Sequence, residues 1–174
     1  IPEIERVTSP ITGTHEFLDN TERRIDRIDR EFFYLFPCKF IEGDCSFLDI
    51  DGAVAVSSEY AAELAKDGKV LGRVIKGQRK EYTVKAVFDD YGKGIFKECD
   101  VLAGNHEYIT RTDMEYPLGV YGSMTFMSIR KDAQIEDVTK KIQKAVAQFW
   151  GGIDKKYRDK KKYRLIRYDN ITTD

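Results

Sequence analysis

The clearest hydrophobic pattern lies near the end of the chain, over Ile135 to Trp150. Apolar side chains recur there at intervals of three or four residues, which places them on one face of an α-helix: Ile135, Val138, Ile142, Ala145, Val146 and Phe149. The lysines of the same stretch fall away from that face. The pattern predicts an amphipathic helix that ends at Gly151-Gly152, because glycine is a poor helix former.

A strand followed by another helix is predicted around residue 57. Ala53 to Val56 is a short apolar run typical of a buried strand. Ser57 or Ser58 stands where a helix N-cap belongs, and Tyr60 to Lys66 contains strong helix formers. Asp67-Gly68 favours the end of this helix, because glycine readily adopts the left-handed conformation of a C-cap.

Two further runs predict a β-hairpin. Val74-Ile75 and Tyr82 to Phe88 flank the basic turn Lys76-Gly77-Gln78-Arg79-Lys80. Apolar residues alternate along the second run, as they do on the covered face of a strand: Tyr82, Val84, Ala86 and Phe88. We interpret the turn as a solvated hairpin tip, since no helix N-terminus follows at which a phosphate would bind.

Aromatic residues are dense between Glu31 and Phe36. Such density predicts an anchor of the hydrophobic core; a ligand-stacking site is the alternative interpretation. Pro37 ends this helical turn, because proline cannot donate to the helical hydrogen-bond ladder. An extended run then reaches Gly43-Asp44, which predicts a tight turn.

The other elements have weaker patterns. Glu3 to Val7 predicts a short strand, whereas Arg23 to Asp29 carries two isoleucines three residues apart, a spacing that favours a helix. Tyr121 to Ile129 is apolar on both faces, which predicts an interior strand covered on both sides, and Tyr163 to Tyr168 predicts a final strand. Strand–helix units at both ends around a more β-rich middle indicate an α+β architecture.

Composition narrows the classes of function. The 174 residues carry 29 Lys+Arg against 30 Asp+Glu, and this net charge of −1 gives no overall electrostatic basis for binding nucleic acid or an anionic membrane. A hydrophobic fraction of 41% is typical of a packed globular domain. No run approaches the ~18 apolar residues that span a bilayer, and the first residues lack the basic-then-apolar order of a signal peptide.

Residues suited to metal binding or redox chemistry are sparse. Cys38, Cys45 and Cys99 form no C-x-x-C pair, and His15 and His106 are isolated, so we predict no metal and no cofactor. We expect the cysteines to be small apolar side chains at buried or half-buried positions. A Cys38–Cys45 disulfide is an alternative if the domain is exported to an oxidising compartment.

A hydrolytic site is the enzymatic alternative, with Ser57 or Ser58 as nucleophile and His15 or His106 as base. Neither serine has the flanking glycines of a G-x-S-x-G motif, so we interpret these serines as caps of the following helix. No constellation of polar residues stands out from the packing pattern. We therefore assign no catalytic, cofactor-binding or metal-binding residue.

The segment from Lys155 to Arg167 is locally basic and interleaved with tyrosines. Our first interpretation is a charged helix end and a loop that lead into the final strand. Contact with anionic lipid headgroups is an alternative, because each Lys or Arg near the membrane surface adds ~1 kcal/mol of attraction to it. A nucleic-acid patch is disfavoured, since the rest of the chain is not basic.

The order of elements between residues 32 and 85 carries a family signature. The aromatic turn is followed by the apolar run Phe40-Ile41 into Glu42-Gly43-Asp44, and Val56 leads through serine to Glu59 in a V-S-E-like strand-to-helix junction. Leu71-Gly72-Arg73 and a Y-T-V-containing strand come next. This order resembles the MacB-like periplasmic core domain of FtsX/MacB-type ABC-transporter permeases, over nearly the whole chain.

Three departures from the family pattern are visible. A Phe-Gly after the helix and a Pro before the glycine turn are expected, but Lys66 to Val70 supplies neither the Phe nor the Pro. The glycine expected in the strand after the hairpin turn is Ala86. Because the shared pattern is one of packing, it bears on fold more directly than on activity.

The resemblance implies a fold of two lobes and replaces the helix at Arg23 to Asp29 by a strand. Residues 1–45 and 115–174 would form a porter-like lobe, and residues 46–114 an inserted β-rich lobe. Such domains lie outside the cytoplasmic membrane, tethered to it by the permease's transmembrane helices.

The resemblance also implies a function without catalysis. The domain would couple transmembrane-helix motion to export or to engagement of a substrate or partner. The implied partners are a nucleotide-binding ATPase subunit that the domain does not touch and a second permease copy. The alternative is a free-standing extracytoplasmic binding or adhesion module.

Overall fold

The polypeptide divides into two compact units, Ile1–Arg6 with Met127–Asp174 and Val7–Phe126. The computed structural model describes residues 1–66, 68–91, 94–105, 124–153 and 165–168. Both helices and strands are present, so the predicted α+β class is confirmed. The predicted lobes, residues 1–45 with 115–174 and residues 46–114, stay a prediction.

Nine strands and three α-helices occur in the described residues. The strands are β1 (Ile4–Thr8), β2 (Ile11–Leu18), β3 (Thr21–Ile28), β4 (Phe40–Glu42), β5 (Ala53–Ser57), β6 (Val74–Lys76), β7 (Glu81–Phe88), β8 (Val101–Gly104) and β9 (Phe126–Ile129). The helices are α1 (Phe32–Leu35), α2 (Ser58–Ala65) and α3 (Ile135–Ile153), and a 3-10 helix spans Cys45–Asp49.

A seven-stranded mixed sheet is the frame of the Val7–Phe126 unit. Its strands lie in the order β2-β3-β8-β5-β7-β4, and β6 also pairs with β7. The pairs β3–β8 and β5–β7 are parallel, while the other pairs are antiparallel. Strands β3, β8, β5 and β7 each have a neighbouring strand on both sides, and β5 and β8 are buried almost throughout.

Helix α2 closes one hydrophobic core on this sheet. Tyr60, Ala61 and Leu64 of α2 form a buried cluster with apolar residues from β2, β3, β5, β6, β7 and β8. Ser57 is the N-cap, and its Oγ accepts a hydrogen bond from the Tyr60 amide at 3.2 Å. The predicted strand, helix and cap are confirmed, and Ser57 rather than Ser58 is the capping residue.

Aromatic rings form another packed region in the same unit. The fully buried Phe32 ring lies 4.8 Å from that of Phe96 and 5.2 Å from that of Phe36, which in turn lies 4.9 Å from Phe126. Most of these pairs meet edge to face, the arrangement that aromatic quadrupoles favour. The prediction that the turn at residues 31–36 anchors the core is confirmed.

Strand β3 occupies the stretch where isoleucine spacing favoured a helix, so that prediction is wrong and the strand implied by the family resemblance is confirmed. Ile25 and Ile28 lie three residues apart and hence on opposite faces of the strand. Both are fully buried. A spacing of three is thus compatible with a strand whenever both faces of the sheet are covered.

The smaller unit contains a two-stranded sheet of β1 and β9 together with α3. The amide of Arg130, just after β9, donates to the carbonyl of Glu3 at 2.9 Å. Val138 of α3 is buried, with 1% of its surface exposed. The predicted strand at residues 3–7 and the predicted amphipathic helix are confirmed.

Two predictions about β9 and α3 are wrong: the environment of the strand and the end of the helix. Among the described residues β9 pairs only with β1, and only Phe126 of its four residues is buried, so it is not an interior strand covered on both faces. Helix α3 continues through Gly151-Gly152 to Ile153. Glycine costs only ~1 kcal/mol in a helix, so it does not by itself end one.

The predicted final strand falls partly outside the described residues, which resume at Leu165. From Leu165 to Arg167 the backbone has no regular structure, so no strand is present in the part of this segment that the structure describes. Most of the basic segment at 155–167 and residues 121–123 of the predicted interior strand also lie outside the described residues.

Gly43 is a position where we expect glycine to be required. Its φ is +70°, and an added Cβ would overlap the Lys85 carbonyl oxygen and lie 3.0 Å from Ala86 Cβ. We expect Gly43→Ala to lower the free energy of unfolding by about 3 kcal/mol, since backbone strain and overpacking add. Gly13→Ala is the matched control: its φ is +68° but nothing lies within 4 Å, so about 1 kcal/mol is expected.

Denaturant-induced unfolding followed by circular dichroism gives both values. Equal losses for the two variants would contradict the close approach of the chain at Gly43.

Candidate functional site

Strand β3, which lies beside the edge strand β2, carries charged side chains into the large sheet. We call Arg23, Arg24, Asp26, Arg27 and Asp29, with the groups that they bind, the β3 charge network. Burying a charge is costly unless it is paired and hydrogen-bonded. The partners of these residues therefore show what the strand organises around itself.

Arg24 and Asp26 form the most buried ion pair of the network. Asp26 has 0% of its surface exposed, and its carboxylate accepts from Arg24 Nη2 at 3.0 Å, from Arg24 Nε at 3.1 Å and from the Gly13 amide at 2.8 Å. Burial opposes the charge of Arg24, but the hydrogen bond and attraction from Asp26 outweigh it, so its pKa is raised. Arg24 also donates to the carbonyls of Ile95 and Lys97, at 2.6 and 2.7 Å.

Arg23 links β3 to helix α2. Its guanidinium forks onto the Glu63 carboxylate, lies 3.6 Å from Asp100 Oδ1 and stacks 4.2 Å above the centre of the Tyr60 ring. The hydrogen bond from Arg23 lowers the pKa of Glu63. The side chain thus combines an ion pair with a cation–π contact, and it fixes the height of α2 over the sheet.

Arg27 belongs to a polar triad that joins β2, β3 and β7. Its Nη2 donates to Glu16 Oε1 at 2.6 Å, and the Tyr82 hydroxyl donates to Glu16 Oε2 at 3.0 Å. Burial raises the pKa of Tyr82. The cleft beside the triad has a volume of about 10 Å³, which is room for about one water molecule and excludes a small-molecule ligand.

Asp29 ties the end of β3 to the aromatic turn. Its Oδ1 accepts from the Phe32 amide at 2.9 Å and from the Thr8 hydroxyl at 2.7 Å, and its Oδ2 accepts from the Ser9 amide at 3.4 Å. The carboxylate satisfies a free amide at the start of α1, as helix caps do. The β3 charge network therefore holds neighbouring segments through ion pairs and hydrogen bonds, although the buried Arg23 Nε has no hydrogen-bond partner in the described residues.

The serines and His15 weighed as catalytic residues do not form a triad. The Ser57 hydroxyl is engaged as the N-cap of α2, and Ser58 is the first residue of that helix. His15 is exposed on β2 with Nδ1 3.9 Å from Glu22 Oε1, while His106 lies outside the described residues. In the described part of the chain, no group of three or more His, Cys, Asp or Glu side chains is placed to hold a metal ion.

The cysteines are free thiols: Cys38 and Cys45 are half-buried and Cys99 is buried. Burial raises the pKa of Cys38, and it raises the pKa of Cys99 well above its usual range. At neutral pH both are therefore protonated and poor nucleophiles. The predicted burial is confirmed, and the alternative Cys38–Cys45 disulfide is not formed in this structure.

The basic hairpin tip lies at the surface, as predicted. Lys76 and Arg79 are exposed, whereas the ammonium of the half-buried Lys80 lies 5.3 Å from the centre of the Tyr82 ring. Sequence patterns did not single out the β3 charge network. The available signal was the i, i+2 pairing of Arg24 with Asp26, which puts both side chains on one face of a strand but not of a helix.

Comparison with known proteins gives matches in structure only. No protein-family model and no curated protein sequence matches the chain. Its fold is similar to a domain of a protein described as a permease from Porphyromonas gingivalis, at a TM-score of 0.69 and 16% identity over 91% of this chain and 75% of that one.

Two further solved structures are similar. The periplasmic region of MacB from Actinobacillus actinomycetemcomitans matches at a TM-score of 0.64 and 14% identity, over 97% of this chain and 74% of that one. The extracellular domain of the noncanonic ABC-type transporter YknZ from Gram-positive bacteria matches at 0.60 and 13%, over 95% and 82%.

These likenesses define the class of fold first: an α+β domain of the kind found outside the membrane in transporter proteins. More particularly, the chain has the fold of the MacB-like periplasmic domain, and the resemblance carried by residues 32–85 is confirmed at the level of fold. None of the helices in the described residues is both long and apolar enough to cross a bilayer.

We expect Asp26→Asn to destabilise the protein by at least about 2 kcal/mol, because it leaves the Arg24 guanidinium without its buried counter-charge. Asp49→Asn is the matched control. It removes a carboxylate 2.6 Å from Arg30, but that pair is exposed and little change is expected. Chemical denaturation of both variants tests this. Similar stabilities for the two would show that the buried pair does not support the sheet.

We also expect Cys99 to resist modification in the folded protein, because its thiol is buried and protonated. Titration with a thiol reagent at neutral pH, followed by mass spectrometry of the peptides, should show Cys99 modified only after denaturation. Rapid labelling of Cys99 in the native state would contradict its burial.

Proposed function

We propose that the chain is the extracytoplasmic domain of an ABC-transporter permease and that it couples motion of transmembrane helices to export or to engagement of a substrate or partner. The observation that carries this proposal is the likeness of more than nine-tenths of the chain to three solved domains, two of them named as parts of ABC-type or MacB transporters. Because fold alone does not fix function, the proposal needs a direct test.

A role without catalysis fits the chemistry of the described residues. The charged groups of the β3 charge network pair with one another, and Ser57 is engaged as a cap. Such a network resists deformation, because each displacement would expose an unpaired buried charge. A stiff body is what a coupling element needs, since it passes on a displacement instead of absorbing it.

The smaller unit suits the entry point of such motion. It contains both Ile1–Arg6 and the stretch that begins at Met127. The Glu3 carboxylate pairs with the Lys141 ammonium of α3, and the Glu3 carbonyl accepts from the Arg130 amide. If the parent protein continues into membrane helices from both stretches, a movement of either membrane helix acts on the smaller unit, whose parts are joined by these bonds.

The finer parts of the proposal follow from the same likeness. The domain would lie on the outer side of the cytoplasmic membrane, tethered to it by the permease. ATP hydrolysis would take place in a separate subunit that the domain does not contact, and the permease would work as a pair. The porter-like lobe would comprise residues 1–45 and 115–174, and the inserted lobe residues 46–114.

The proposal is tested in the parent permease reconstituted with its ATPase. Lys144, which is exposed on α3, is replaced by Cys in a background of Cys38→Ser, Cys45→Ser and Cys99→Ala. In spheroplasts this thiol should react with a membrane-impermeant maleimide. An environment-sensitive label at the same site should change its emission during ATP turnover, because the domain follows the membrane helices.

A hydrolysis-deficient ATPase is the control and should leave the emission constant. Labelling only after lysis would place the domain on the wrong side of the membrane. The same label is also placed in the larger unit, at Arg79→Cys. If both sites are labelled in spheroplasts but neither emission changes with ATP, coupling is refuted and a free-standing binding module is favoured.

A further inference from the structure

Two hairpin turns meet at one place on the larger unit. The Asp19 amide donates to the Lys76 carbonyl at 2.9 Å, and the Lys76 amide donates to Asp19 Oδ1 at 3.0 Å. Asp19 and Asn20 have φ values of 47° and 67°, the left-handed geometry of a two-residue hairpin turn. The β2–β3 turn is thus fixed against the β6–β7 turn by paired bonds.

A hollow with a volume of about 490 Å³ lies between these turns. Its lining consists of Phe17, Asp19, Asn20, Lys76, Gly77 and Gln78. The volume falls within the ~300–1,000 Å³ range of small-molecule sites. Phe17 supplies the aromatic surface, and 48% of it is exposed although its neighbour Leu18 is buried. Single exposed apolar residues are common on protein surfaces; this ring matters because it lines the hollow together with polar groups.

The polar groups of the hollow are available to a ligand. The side-chain amides of Asn20 and Gln78 and the ammonium of Lys76 make no hydrogen bond or ion pair with the residues that the structure describes. Each amide offers both donors and acceptors. The Asp19 carboxylate balances the Lys76 ammonium, so the hollow does not select for an anion.

We propose that this hollow is a binding site for a neutral glycan, with one pyranose ring resting on Phe17. The C–H face of a sugar is apolar and packs on an aromatic ring, while its hydroxyl groups need partners that both donate and accept. The side-chain amides of Asn20 and Gln78, which line the same hollow, meet that need. A phosphate would favour unbalanced cations instead, and an apolar peptide would need a wider apolar surface.

The site does not depend on the transporter proposal, because its lining comes entirely from the two turns. It is open rather than enclosed, so we expect weak binding, with a Kd on the order of 1 mM. The two turns already hold their conformation through the Asp19–Lys76 bonds. Binding therefore needs little ordering of the chain.

The test is a titration of the isotope-labelled 174-residue chain, followed by amide NMR shifts. The probes are the trimer of β-1,4-linked N-acetylglucosamine and cellotriose, which separate an acetamido-bearing glycan from a plain glucan. Saturable shifts confined to residues 17–20 and 76–78 are expected with at least one probe. No saturable shift with either probe at millimolar concentration, or shifts centred elsewhere, would overturn the proposal.

Substitutions assign the binding to Phe17. Phe17→Ala should weaken it about tenfold or more by removing the stacking surface, whereas Phe17→Trp should preserve it. Tyr34→Ala is the matched control, since Tyr34 is an exposed aromatic residue, 58% accessible, that does not line the hollow. Equal loss in Phe17→Ala and Tyr34→Ala would refute the site, and unchanged spectra outside the hollow confirm that each variant is folded.

Discussion

The burial of charge on β3 is the constraint on which the larger unit depends. An aspartate with no exposed surface lies on β3, next to the edge strand of a seven-stranded sheet, and its charge is tolerable only because Arg24 lies two residues away on the same strand face. The same arginine holds the carbonyls of Ile95 and Lys97, and the same aspartate holds the Gly13 amide. One ion pair thereby fixes a bulge in β2 and the loop that leads to β8.

The neighbouring charged residues connect β3 to the other elements of the larger unit. Arg23 reaches α2 through Glu63 and Tyr60, Arg27 reaches β7 through Tyr82, and Asp29 reaches the aromatic turn through the Phe32 amide. Each contact joins segments far apart in sequence, and each is lost if β3 shifts by one residue, because the side chains would then change faces. The network consequently specifies register, which apolar packing alone specifies less strictly.

The most buried polar side chains of the larger unit help to hold its fold together. Asp26 and Ser57 hold strands and a helix end in place, and burial raises the pKa of the Cys38 and Cys99 thiols. One surface hollow of the larger unit lies between two turns, and loops of this kind can vary without disturbing the sheet. The similar structures share the fold of this chain at identities to it of only 13–16%.

Local sequence patterns were sufficient to predict the elements whose surroundings are uniform along their length. The helical period of α3 and the Ser57 cap of α2 each follow from short-range geometry, so the sequence by itself determined them. Along β7 the predicted alternation holds only as far as Val84, because the strand pairing is irregular after that residue and Val87 joins the buried cluster instead of Ala86. Strand β3 was decided by the tertiary structure, because isoleucines spaced by three fit a strand only once both of its faces are covered. The partners of Arg24 and Asp26, the end of α3 and the meeting of the Asp19 and Lys76 turns were likewise decided there. These contacts join segments that are far apart in the chain, and a local hydrophobic period carries no information about which distant segments meet.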